Sequence, residues 1–361
     1  MANTFKTFLN SDIANTRTLL HEAIPITGTI VSGTYIADGN IKAFAHGMFE
    51  AVYDYPYLSS SANHIFDITA GYSSNSALSA SGHEQNAKKI NIYNQHAQVL
   101  YGYDYTGSIQ EFDQDGDINA GGTKMRECFF LNFSRLLTKD EMKKNSFRLT
   151  YFSGNQASLG FAPPTRGNET TIGDYGAATG YKVNSPAGEY GLLFTSSAVT
   201  PSTYASLGAE PVGHIYYQAG IVVLSASIVE DALPNAAIGG DPEASGTTVS
   251  DAFTGSTITQ LANGVRFFLD NIDFNNTTEL NSTIYFCRAN TQDYNYSANP
   301  TYLTASKIRV KNENPRAEPV SYITTVGLYS ADNELLAVAK LSEPLKKSPS
   351  NELTLRVRLD Y

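Results

Sequence analysis

The segment Glu111-Phe-Asp-Gln-Asp-Gly-Asp117 places a carboxylate at every second residue. Alternating oxygen ligands are how a calcium loop surrounds a hard cation. Counted from Glu111, the residues Glu111, Asp113 and Asp115 take the first, third and fifth positions and Gly116 the sixth. The twelfth position, where a bidentate Glu belongs, is Gly122. Counted from Asp113, glycine is missing at six and Lys124 stands at twelve. The loop fails in both registers. It is read as a solvent-exposed acidic turn between strands without an essential metal, with Glu111, Asp113 and Asp115 the weak cation candidates.

Other chemistry is thinner. The histidines are His21, His46, His64, His83, His96 and His214, none paired with another four residues on. His83-Glu84 begins like a zinc-protease helix motif, but Ala87 holds the second histidine's place. No GxSxG elbow and no phosphate loop occurs, and Gly121-Gly122-Thr123-Lys124 reads as a flexible turn. The acidic pairs Asp270/Asp273 and Glu50/Asp54 are what chance supplies among 35 acids. The Asn-x-Ser/Thr triplets at Asn132, Asn276 and Asn281 read as composition rather than glycosylation. Cys128 and Cys287 lie in apolar, strand-like runs without a second Cys or His nearby. They read as free thiols rather than zinc ligands, with a disulfide between them left open. No catalytic residue and no cofactor is assigned, and the chain is not expected to be an enzyme.

Composition sets the wider frame. Net charge is −10, against the basic face that phosphate binding needs, so no direct nucleic-acid partner is expected. The densest basic cluster, Lys139, Lys143 and Lys144, has Asp140 and Glu141 among it. No run approaches the ~18 apolar residues of a membrane helix. The start, Met1-Ala-Asn-Thr-Phe-Lys6, has no basic stretch leading into an apolar one, so synthesis in a cytoplasm and no membrane partner are expected. Charged residues are only 17% of the chain, against about 25% in an average protein. Tyrosine is abundant at 23 and tryptophan absent. Such a palette suits turn-rich β-sheets and contact surfaces, where tyrosine gives rigid amphipathic area.

These residues must be held by mainly β structure with a few helices, an α+β arrangement of antiparallel sheets in β-sandwich-like domains. One amphipathic helix is expected over 85–101, where Ile90, Tyr93, Ala97 and Leu100 recur at helical spacing. A second helix should follow Leu137, with Thr138 and Glu141 as its capping box. Strands are expected at 26–35, 128–134, 147–153, 190–194 and 214–225. A short helix is placed at 11–21, an extended aromatic loop at 51–58 and a long loop at 231–255. Residues 320–329 and 335–341 form a hairpin across the turn 330–334, after which the chain turns at Pro344 and Pro349. The last strand, 353–359, alternates Leu, Leu, Val, Leu with polar residues and should be central or well covered. The domain reading is an arm at 1–24, an α+β region at 25–153, an insertion-like β domain at 154–265 and a C-terminal β region at 266–361 packing with the N-terminal region.

From Asn281-Ser-Thr-Ile-Tyr-Phe-Cys-Arg288 onward the chain resembles virion structural proteins of large, marine-type contractile-tailed bacteriophages. The likeness continues through Tyr294-Asn-Tyr-Ser-Ala-Asn-Pro-Thr-Tyr302, Ser306-Lys-Ile-Arg-Val310 and Val320-Ser-Tyr-Ile-Thr-Thr-Val-Gly-Leu-Tyr329. Earlier segments share it, among them Phe44-Ala-His-Gly-Met-Phe-Glu50 and Phe129-Phe-Leu-Asn-Phe-Ser-Arg-Leu-Leu137, while 154–265 shares little. The hairpin with Glu334-Leu-Leu-Ala-Val-Ala-Lys340 is similar to one in phage tail-fibre and baseplate-attachment modules. The resemblance implies a non-enzymatic virion component of the tail, baseplate, neck or collar, built as a homo-oligomeric ring with copies of itself and other virion proteins. The alternative is a receptor- or glycan-binding module or decoration protein using its Tyr-rich loops as stacking platforms. Interface candidates are Tyr53, Tyr55, Tyr57, Tyr294, Tyr296, Arg356 and Arg358.

Overall fold

The computed structural model describes residues 5–21, 26–29, 39–118, 121–137, 140–152, 169–228, 248–295, 303–304, 307–308, 318 and 320–361. The fold is mainly β with a few helices, and its sheets are antiparallel. The chain divides into two compact units, a larger one of residues 20–278 and a smaller one joining 1–19 to 279–361.

The larger unit is organised by an eight-stranded sheet. Its order is Lys182–Ser185, Gly188–Leu193, Gly213–Tyr216, Ile221–Ser225, Glu127–Asn132, His64–Tyr72, Glu50–Tyr53 and Ile41–Lys42. A four-stranded sheet runs Glu169–Gly173, Arg148–Phe152, Leu269–Phe274 and Ile26–Thr29. Successive side chains of a strand point to opposite faces, and here both faces are buried. Phe129 and Leu131 enter one core with Ile215, Val222 and Leu224, joined by Leu149 and Ile272 of the second sheet and by Phe253 and Leu261. Cys128 and Phe130 enter another, with Tyr216, Val223, Tyr190 and Leu192. That second core is closed by the helix Asn86–Leu100, through Ile92, Tyr93, Ala97 and Leu100. The helix lies against the strand His64–Tyr72 at Gly71, where a Cβ would fall 2.5 Å from the carbonyl oxygen of Lys89. Only glycine allows that approach.

The helix over 86–100 and the strands near 128–134, 147–153, 190–194 and 214–225 stand as the sequence indicates, the last as the hairpin Gly213–Tyr216 and Ile221–Ser225. Of the strand expected at 26–35, Ile26–Thr29 is a strand and the rest lies outside the described residues. Other expectations need correction. Residues 11–21 are not a helix: after a single turn at Asn10–Asp12 the chain enters the strand Ile13–His21. Its Ile and Thr residues are β-branched, and it pairs with Asn276–Ala289, which supplies a ladder a lone helix would lack. No helix is nucleated at Glu141, which instead forms the strand Glu141–Met142 opposite Thr277 and Asn276; Thr138 lies outside the described residues. The aromatic segment 51–58 begins as a strand, Glu50–Tyr53. Within 231–255, Val249–Gly255 is a helix opened by a capping box of Thr248 and Asp251. A second box, Thr257 with Gln260, opens the helix Ile258–Phe268. The described strands of 154–265 are no separate insertion: they complete both sheets begun by 25–153.

The smaller unit is built differently. Its main sheet runs Ile13–His21, Asn276–Ala289, Leu353–Asp360. The last strand is thus an edge rather than a centre, paired on one side only, from Ser282 opposite Asp360 to Ala289 opposite Leu353. Its other edge has no partner strand among the described residues. Ser321–Tyr329 and Leu335–Lys347 form a two-stranded hairpin. Its turn is closed by Glu334 and Asn333 hydrogen bonding back to Ser330, with Asn333 at φ 64°. Asn tolerates this left-handed geometry. Pro344 does not end the strand. The register jumps there, from Thr325 opposite Lys340 to Ile323 opposite Leu345, so the residue without an N–H sits in a bulge. No helix among the described residues is long and apolar enough to cross a membrane.

Candidate assembly surface and the acidic turn

Most apolar residues on the hairpin and the last strand of the smaller unit lie where solvent reaches them, while Leu328 and Ala289 are buried. On the hairpin Tyr322, Tyr329, Leu335, Leu336 and Val338 are exposed, Leu336 at 69%. On the strand Leu353–Asp360 the four apolar residues Leu353, Leu355, Val357 and Leu359 are only half-buried, and the polar residues between them are exposed. A two-stranded hairpin is marginal alone in water, and a run of exposed leucines and tyrosines is the usual mark of a contact surface. Phe5 packs against Tyr329 with ring centres 4.7 Å apart and the planes tilted by 54°.

The sequence-derived contact residues divide. Arg356 is exposed on the polar face of the edge strand. Arg358 is held within the unit, its Nε 2.6 Å from Asp360 Oδ1 and its Nη2 donating to Ser282 Oγ at 3.0 Å. Tyr294 is 49% exposed with a left-handed backbone, and its carbonyl accepts from the Ser321 hydroxyl. Tyr296 lies outside the described residues. In the larger unit, Tyr53 meets His64 edge-on at 5.4 Å and lies 6.3 Å from Tyr57. Tyr55, Tyr57 and Leu58 are exposed beside them, in a turn fastened by Asp54, which accepts from the backbone N–H of Asn63 at 2.6 Å. Tyr53, Tyr55 and Tyr57 thus belong to the larger unit, and Tyr294, Arg356 and Arg358 to the smaller. The hairpin residues Leu335, Leu336 and Val338 were not singled out by sequence, because alternation tells which face is apolar and not whether anything covers it.

The acidic turn lies in the larger unit between the short strands Phe112–Asp113 and Lys124–Met125. Glu111 does not join it. Its carboxylate accepts from Ser73 and pairs with Arg126. Asp117 joins instead, and the carboxylates of Asp113, Asp115 and Asp117 come within 4.8 Å of one another. The expectation of a wholly exposed turn fails at Asp113, which is fully buried, while Asp115 is half-buried and Asp117 exposed. The cause is the aromatic floor of the second core. Tyr101 and Tyr190 donate to the carbonyls of Asp113 and Gly116 and pull the start of the turn inward. Burial, then the neighbouring Asp117 carboxyl, push the Asp113 pKa up, and Lys124 opposes them.

Elsewhere, a shallow polar cavity of about 440 Å³ is lined by Lys143, Asn145, Ser146, Arg148, Asp273 and Asn275 among others. Arg148, on its wall, is held by buried Asp174 at 3.0 Å, and Lys144 lies between Glu141 and Glu189. Cys128 and Cys287 are free thiols, and burial raises the pKa of both.

Comparison with protein-family models, with curated proteins and with solved structures finds no match to this chain.

Proposed function

We propose that the chain is a non-enzymatic structural component of a tailed-phage virion, in the tail, baseplate, neck or collar, that assembles with copies of itself into a ring. One observation carries the assembly half of this reading. The smaller unit spends many of its apolar residues on surfaces that the described chain leaves open: Tyr322, Leu335, Leu336 and Val338 on the hairpin, and the half-buried stripe Leu353, Leu355, Val357 and Leu359 on an edge strand. An unpaired edge and an uncovered apolar face are liabilities in a monomer and natural joints in a ring. Cyclic assembly takes head-to-tail contacts that close, so each copy offers two different surfaces to its neighbours. The virion half rests on the resemblance of 281–361 and the earlier segments, together with low charge and abundant tyrosine.

Native mass spectrometry of the purified chain, with a map of the particle in which the chain is placed, tests the reading. The expected result is a closed ring in which the hairpin and the strand Leu353–Asp360 are covered by neighbouring chains. A chain that is monomeric in solution, touches none of its own kind in the particle and has a free distal end would favour the receptor-binding alternative. Absence from every particle would remove the virion assignment.

A further inference from the structure

We propose that the turn at 113–117 is a binding site for a divalent cation of the calcium class, with Asp113, Asp115 and Asp117 as ligands and the Lys124 ammonium as the charge the ion displaces. The inference does not depend on the virion reading.

The first observation is the cluster itself, three carboxylates whose ligand oxygens lie within 4.8 Å of one another. Alone it would carry nothing, because acidic groups gather on many surfaces. The second observation is the state of Asp113. Its side chain is 1% exposed, its Oδ2 lies 3.0 Å from Lys124 Nζ, and its Oδ1 is buried and receives no hydrogen bond. A buried carboxylate oxygen without a donor is costly, and it belongs to the side chain whose carboxylate lies within 4.8 Å of two more. One ammonium set against three carboxylates leaves two negative charges, which is what a divalent ion neutralises. All the ligand atoms are oxygens, which selects a hard ion, and the irregular set suits calcium's flexible coordination better than magnesium's strict octahedron.

The rest of the turn is held ready. Gly116 O accepts from Tyr190 Oη and from Asn184 Nδ2, each at 3.0 Å. Gln114 Nε2 donates to Pro211 O at 2.9 Å. These anchors belong to the eight-stranded sheet and its loops, so binding need not order the turn first. Exposure rises from Asp113 through Asp115 to Asp117, which leaves an entry from solvent over Asp117. Lys124 explains why neither register of the sequence matches a calcium loop. The residue in the twelfth place from Asp113 is a cation that already holds the deepest ligand.

The test uses the full chain. Calcium alone is titrated by calorimetry, and terbium by luminescence excited through tyrosine, since Tyr101 and Tyr190 line the turn and the chain has no tryptophan. The expected result is saturable binding of one ion per chain, with a dissociation constant of about 10⁻⁴ to 10⁻³ M, the range of calcium sites with few charged ligands. Asp115→Asn with Asp117→Asn should weaken it at least about tenfold, as loss of two charged ligands requires. Both residues reach solvent, so this variant should melt like the wild type in the absence of ions. Lys124→Gln should bind more tightly than the wild type. No saturable uptake by either wild type or Lys124→Gln up to about 10 mM, well past that range, would overturn the proposal. So would equal binding by the wild type and the double variant, which would place the ion elsewhere, or unchanged affinity in Lys124→Gln, which would remove the lysine from its assigned role.

Discussion

The two units put the same two-residue period of a strand to different ends. In the larger unit the strand Glu127–Asn132 sends Phe129 and Leu131 to one core and Cys128 and Phe130 to another, and all four are buried. In the smaller unit the strand Leu353–Asp360 sends four apolar residues to one face, and none is fully buried. The first pattern is closed within the chain, by a helix on one side and a second sheet with its helices on the other. The second is left open. Strand periodicity therefore fixes which face is apolar, while the connections of the chain decide whether that face is finished by the molecule itself.

The comparison breaks most visibly at Phe130, which is buried beneath the long helix. Its ring stacks on His96 at 4.0 Å and meets Phe112 and Tyr93 at about 6 Å. Phe130→Ala should cost about 3–5 kcal/mol in a denaturant titration, because the ring's contacts vanish and a cavity remains. A loss under about 1 kcal/mol would mean that this core collapses freely and is no tighter than the open face of the smaller unit.

Lys89 gives the next effect. Its ammonium is fully buried and donates to three carbonyl oxygens, Glu84 at 2.7 Å and Phe253 and Ser256 at 2.6 Å each. It ties the long helix to the end of the helix Val249–Gly255. Burial draws its pKa down to about 8, and the nearby Glu84 charge opposes this. The three carbonyls also favour the charged form. Lys89→Met should cost roughly 3 kcal/mol, since buried acceptors lose their donor. Amide hydrogen exchange should rise first over 249–268, and uniform exchange across the larger unit would show that the lysine is no local tie.

Neither Lys89 nor the second helix it ties, Val249–Gly255, can be seen in the sequence as clearly as the strands around them. The continuous apolar run at 128–131, the alternation at 353–360 and the helical stripe at 86–100 are legible because each is a distinct pattern of apolar residues. The helix Val249–Gly255 is masked in the sequence by a neighbourhood poor in large side chains, although Thr248 and Asp251 spell its cap. The reverse happened at Thr138 and Glu141, a capping box in sequence whose Glu pairs into a strand. A local signal of about 1 kcal/mol gives way when tertiary pairing offers more. At the acidic turn the sequence gathers the carboxylates, but it replaces Asp117 with Glu111 in the group. Only the fold shows Glu111 turned towards Arg126.

A pH series sharpens the contrast, because two fully buried titratable groups of the larger unit pull in opposite directions. Burial lowers the His214 pKa from 6.5 to about 4. The unfolded chain takes up this proton before the folded one, so His214 withdraws stability as pH falls from 6.5 towards 4, at most by roughly 3 kcal/mol. Burial raises the Asp174 pKa from 3.8 to about 6, against hydrogen bonds from Tyr217 and the backbone of Asn145. There the folded chain takes the proton first, and stability is returned as pH falls from 6 towards 4. The two largely cancel in the wild type. His214→Gln removes only the first, so the variant's melting temperature relative to wild type should climb as pH falls from 6.5 to 4.5. Parallel profiles would show that His214 is protonated in the folded state.

A small effect on the folded chain is expected at Leu355, and there the two units should part most clearly. Leu355 lies opposite Cys287 in the ladder and is half-buried, on a strand paired along one edge. Full burial of a leucine is worth about 1.5–3 kcal/mol, so a half-buried one contributes about 1 kcal/mol. The cavity penalty that enlarges the cost at Phe130 is small here, because solvent already reaches the site. Leu355→Ala should therefore barely move the denaturation midpoint of the isolated chain, yet it should weaken self-assembly measured by sedimentation at least about tenfold, the equivalent of roughly 1.4 kcal/mol at a buried contact. Leu336→Ala on the exposed hairpin, 69% open to solvent, is the control for the second surface and should lose assembly with still less cost to folding. A Leu355→Ala chain that unfolds several kcal/mol sooner but assembles as before would mean that the apolar stripe is finished inside the chain. The smaller unit would then be closed like the larger one, and the ring would have to be built from other surfaces.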